Sequence, residues 1–120
     1  MTFEEFENII DQTLEKIPQQ VKDILKEKQV AVVAREKAPD EMLQRNPGMV
    51  IFGAFIGMHY GRFFLANLQS EPTRVELYKD SFEMMFKKEE EINSQIERTV
   101  VHEIAHYLGF SEKQIRDLGY

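Results

Sequence analysis

The 120-residue sequence contains no cysteine, which excludes disulfides and thiolate metal sites. Histidine is scarce, with three in the whole chain, so any imidazole site must be built from few donors. Long apolar runs are missing. The longest fall well short of the roughly 20 residues that span a bilayer, and no membrane interaction is expected. The first twenty residues are acidic and periodic and lack a basic segment followed by an apolar one, so a cytoplasmic location is expected. There is no internal repeat and no low-complexity linker, and the length fits a single domain over residues 1–120. Basic charge is also short. Lys and Arg number 15 against 21 Asp and Glu, for a net charge of −6. That balance argues against nucleic acid as a partner, because phosphate binding relies on Lys and Arg. The rest, 42% hydrophobic and 30% charged, is ordinary for a globular protein.

Periodicity organises what is present. Phe3, Phe6, Ile10, Leu14 and Ile17 recur at three- and four-residue steps, which predicts an N-terminal helix. Thr2 followed by Glu5 is a capping-box pattern. Pro18 interrupts the run, and Val21, Ile24 and Leu25 suggest another turn or two. The stretch 29–35, QVAVVAR, is rich in β-branched residues and reads as a strand. Residues 36–49 are polar, hold Pro39 and Pro47-Gly48, and read as a loop. Residues 50–64 are apolar with three glycines and read as a strand with bends, or a hairpin turning near Gly61. In 73–80, Val75 and Leu77 alternate with polar neighbours, the pattern of a half-buried strand, with Lys79 pointing outward. A short helix is predicted over 81–86 and a long one from about Glu89 to Leu108. Its stripe is Ile92, Ile96, Val100 and Ile104, widened by Val101, Ala105 and Leu108. The order predicts an α+β fold: a compact single domain, with a small β-sheet packed against an N-terminal and a C-terminal helix.

The long helix carries the chemistry. At about 100° per residue, His102 and His106 lie within about 40° of each other, clear of the apolar stripe. Glu103 sits beside them. Neutral imidazole is a good zinc ligand, and zinc brings the pKa of a bound water towards about 7. A neighbouring carboxylate that does not bind the metal can take the proton. HExxH arises by chance on the order of once in a few hundred chains of this length, so the motif needs its context. The apolar helix and the turn chemistry that follows it supply that context.

A third protein ligand is required. After His106 the candidates are Glu112, Asp117 and Tyr120; upstream there is His59. Gly109, three residues past His106, can end the helix in a left-handed conformation and turn the chain back. Ser111 and Gln114 form a second capping box, so a new helix should start at Glu112. That geometry favours Glu112 over Asp117. His59 reads as an ordinary cleft or core histidine.

At these residues the sequence resembles the small bacterial zincin-like metallopeptidases, also called minimal metalloproteases. The segments FEEFENIIDQTLEKIP, QVAVVAREKAPDE, RVELYKDSF and IERTVVHEIAHYLGFSEKQIRDLGY carry the likeness. It implies Zn2+ held by His102 and His106, Glu103 as general base, and an acidic ligand at the position of Glu112. Asp is usual there. Tyr107 stands where many members have a further histidine. HExxHxxG is also similar to the metzincin peptidases, but no third histidine and no methionine turn follow.

The resemblance implies a zinc metallopeptidase acting on peptide or protein substrates, with an extended substrate paired to an edge strand. The stretch Val75 to Tyr78 is the candidate edge, and Tyr120, Tyr60 and His59 are candidates to stabilise the oxyanion. One alternative is a metal-dependent endoribonuclease. The ribosomal-RNA maturation nucleases share the H-x3-H-x5 spacing but lack the glutamate and use a third histidine. A second alternative is a non-catalytic, metal-stabilised binding module. Nothing in the sequence specifies an oligomeric state.

Overall fold

The computed structural model describes residues 1–57 and 73–120, and these form an α+β fold. Six helices and three strands lie within them: α1 (Phe3–Lys16), α2 (Gln19–Glu27), β1 (Ala31–Arg35), α3 (Asp40–Arg45), β2 (Gly53–Ile56), β3 (Arg74–Tyr78), α4 (Lys79–Met85), α5 (Glu89–Tyr107) and α6 (Glu112–Asp117). Helix α1 starts at the expected box. Thr2 Oγ1 accepts from the Glu5 N–H at 3.1 Å, and the Thr2 N–H returns to Glu5 Oε1 at 3.0 Å. Pro18 cannot continue a helix and stands at the N-cap of α2 instead.

The sheet order is β1-β3-β2. β1 runs parallel to β3, pairing Ala34 with Leu77, and β2 runs antiparallel to it, pairing Phe55 with Val75. Val75 and Leu77 point to one face and are fully buried there beneath α1 and α5, in a core with Phe6, Ile96 and Val100. Each such side chain contributes about 1.5–3 kcal/mol by leaving water. No helix among the described residues is long and apolar enough to cross a membrane.

Four expectations need correction. β3 is the central strand among the described residues, bonded on both sides, so Val75 to Tyr78 cannot serve as the free edge. Nor is β3 half-buried. Glu76 on its other face is only 5% exposed, because its carboxylate accepts from Arg74 Nε at 2.8 Å and from the Tyr78 hydroxyl at 3.1 Å, with Arg35 Nε at 3.3 Å. Within 36–49, the expected loop contains α3. None of its residues is buried, so it has no apolar period to read; Asp40 and Glu41 in its first turn and the Glu41–Arg45 pair favour it instead. Finally, Lys79 opens α4 rather than extending β3. Its side chain is covered, not outward, and its ammonium meets Glu83 and, at 3.8 Å, Glu36. The predicted turn near Gly61, together with His59 and Tyr60, lies outside the described residues.

Candidate metal centre

Helix α5 is held by its apolar stripe. Ile92, Ile96, Val100, Val101 and Ile104 are all buried, which leaves His102, Glu103 and His106 on the flank. His102 is half-buried and His106 is exposed, and their rings are 6.1 Å apart at 73°. The helix then stops at a glycine. Gly109 has φ +81, and the Gly109 and Phe110 N–H groups close back onto the carbonyls of His106 and Ala105 at 3.0 and 2.8 Å. This is a Schellman ending, and it reverses the chain. Ser111 caps α6, where the Gln114 N–H donates to its hydroxyl at 3.1 Å and the Ser111 N–H donates to Gln114 Oε1 at 2.7 Å.

The reversal brings Glu112 to His106, with Oε1 2.9 Å from Nε2. One donor atom each from His102, His106 and Glu112 lie within 4.8 Å of one another, and no other such group occurs among the described residues. Asp117, exposed at the far end of α6, is not part of it. Ligand distances near 2.0–2.2 Å place the donors of a four-coordinate zinc roughly 3.3 Å apart. Small side-chain rotations close that gap, and two imidazoles with one carboxylate are an ordinary donor set for the ion. These residues fit a zinc ion.

Glu103 lies beside the donors and is largely buried. Burial pushes its carboxyl above the ordinary carboxylate value, partly opposed by His106, by a hydrogen bond from the Phe55 backbone N–H and by His102. Phe55 was not legible from the sequence as a site residue. Nothing local links β2 to α5, and its ring stacks on Tyr107 at 4.4 Å across the same gap.

Tyr120 is placed differently from the expected oxyanion donor. Its hydroxyl donates to Glu97 Oε1 at 2.9 Å, and burial followed by that contact raises its pKa to about 12. Its main-chain oxygen, not its hydroxyl, approaches the site, 3.3 Å from His102 Nε2. A groove of about 310 Å³ adjoins the centre, between residues 49–53 and the α5 face that carries Arg98, Thr99, His102 and Glu103. Arg98 was also overlooked, although it lies one turn before His102 on the same helix face.

A family profile described as zincin-like metallopeptidase matches residues 27–120. The match takes in the sheet, the long helix and everything after it, and begins beyond the N-terminal segment whose likeness was expected. The family implies a metal, typically zinc, and peptide or protein substrates. No curated protein shows a significant match to the chain. With residues 27–120 matched, the chain belongs to the zincin-like metallopeptidase family.

Proposed function

We propose that the protein is a zinc-dependent peptidase in which His102, His106 and Glu112 hold the metal and Glu103 is the general base. The observation that carries this reading is the gathering of those three donors within 4.8 Å, beside the carboxylate that shares their helix. When bound, the metal supplies a Lewis acid that activates water near neutral pH and polarises a carbonyl. Glu103 takes the proton from the attacking water on a carboxylate oxygen and passes it to the leaving amine.

Among the described residues, strand β2 provides the edge that β3 cannot. The Tyr78 N–H donates to the Phe52 carbonyl, so alternation along the register turns the main-chain groups of Gly53 and Phe55 away from β3. The Phe55 N–H already faces Glu103. An extended peptide added along this edge runs past the base. The nuclease alternative draws no support here, since among the described residues Arg98 is the only Lys or Arg lining the groove beside the centre.

The test is Glu103→Gln, which keeps the size of the side chain but cannot act as a base. Zinc should stay near one per chain, while cleavage of a mixed peptide library should fall by about 10²–10⁴-fold. Cleavage at the wild-type rate would refute the assignment of the base, whereas zinc bound by a wild-type chain that cleaves no peptide would favour the binding-module reading.

A further inference from the structure

The groove beside the centre carries a cation that the proposed chemistry does not use. One wall is residues 49–53, the other is Gln95, Arg98 and Thr99, and His102 and Glu103 close the inner end. The first wall is pinned. Ser81 Oγ donates to the Ile51 carbonyl at 2.6 Å, the Tyr78 N–H donates to the Phe52 carbonyl at 2.9 Å, and the Phe52 ring packs against Phe82 at 5.0 Å. On the other wall, Gln95 is committed to Thr99 Oγ1 at 3.2 Å. Arg98 is exposed and has no hydrogen-bond or ion-pair partner among the described residues. Glu90 and Glu91 line the hollow on its far side without pairing to it. An open guanidinium fork in a shaped groove is matched to a carboxylate.

The geometry points to a subsite that selects a glutamate side chain next to the scissile bond. This inference rests on the peptidase reading. A peptide laid along β2 with its reacting carbonyl at Glu103 sends one flanking side chain into the groove. Arg98 precedes His102 by one turn, about 6 Å along the axis at about 1.5 Å per residue. A glutamate spans that gap, its methylenes against Val50 and Phe52 and its carboxylate at the guanidinium. A chain end does so less well. An extended strand advances about 3.3 Å per residue, so the flanking residue's own terminal carboxylate stops short. Gln95 and Arg98 also line the next hollow, so among the described residues nothing marks Arg98 as the end of the substrate path.

The experiment uses the zinc-loaded full chain and alanine-rich decapeptides. Each carries Glu, Gln or Lys at one position flanking the cleaved bond, with free and with amidated C-termini. The kcat/KM ratio of the Glu to the Gln peptide should be about tenfold or more, equivalent to about 1.4 kcal/mol. It should fall to about one in Arg98→Gln, and Arg98→Glu should shift the preference towards Lys. The same peptides titrated into Glu103→Gln report binding without turnover, through the Arg98 side-chain N–H resonance, which should move with Glu and not with Gln. A ratio near one in the wild type, a preference that survives Arg98→Gln, or dependence on the free chain end in place of Glu overturns the subsite. If no peptide is cleaved but Glu-dependent binding persists and is lost in Arg98→Gln/Glu103→Gln, the peptidase reading fails and takes the cleavage subsite with it, leaving Arg98 as a glutamate-binding site only.

Discussion

Glu112 and Asp117 stand at opposite ends of the same short helix, and only Glu112 meets His106. Glu112→Ala should therefore weaken zinc by at least the 10–100-fold seen for losses around a metal's ligands. It should also shrink the rise in Tm that added zinc produces by mass action. Asp117→Ala should do neither. Zinc titration of the two variants side by side checks this, and a large loss in the Asp117 variant alone would show that the wrong acid was chosen. The approach of Glu112 to His106 could be read from the sequence because its determinants are local: a left-handed glycine, a capping box and a fixed count of residues. The role of Tyr120 could not. Its hydroxyl finds Glu97 across the packed face of α5, and no spacing rule reports that pairing.

Strand β2 depends on a missing side chain. A Cβ added at Gly53 would lie 2.6 Å from the Glu76 carbonyl oxygen and 3.0 Å from Thr99 Cγ2, so Ala there must push β2 away from β3 and α5. Gly53→Ala should cost about 1–3 kcal/mol through overpacking, measured by chemical denaturation. It should also lower peptide cleavage more than zinc affinity, because the Phe55 contact to Glu103 moves while the metal donors do not. Zinc affinity falling as far as cleavage would contradict this separation. The helices were more legible than the sheet. The period and box of α1 sit within one segment, whereas the central place of β3 depends on partners far along the chain. Glu76 disguised it further: a charged residue on an alternating strand reads as solvent-facing until Arg74, Arg35 and Tyr78 are known to enclose it.

For the molecule as a whole, that enclosed carboxylate links stability to pH. Burial raises the pKa of Glu76, but Arg74, Tyr78 and Arg35 outweigh it and leave the group below the ordinary 4.5. The folded state then binds fewer protons than the unfolded one. The contribution is complete above the ordinary value and is lost as pH falls through the lower native value. Glu76→Gln should cost about 1.5–3 kcal/mol at neutral pH, the scale of a hydrogen bond to a charged group, and the deficit should narrow below pH 4.5. Thermal melts of both proteins from pH 7 to pH 3 test this, and a deficit that is constant across that range would refute it. Legibility followed the same division. The proposed metal donors all fall between residues 102 and 112, a short loop that costs little to close, whereas the Phe55 N–H beside Glu103 and the groove wall at 49–53 arrive from the far side of the sheet. On the proposed assignment, capturing the ion is thus a local event and hydrolysis a global one. A chain whose sheet has opened while the helix and its glycine reversal persist would still load zinc and still be inert. The zinc content of a preparation is therefore an upper bound on its competent fraction, and only titration with a tight substrate-like inhibitor would count the competent molecules.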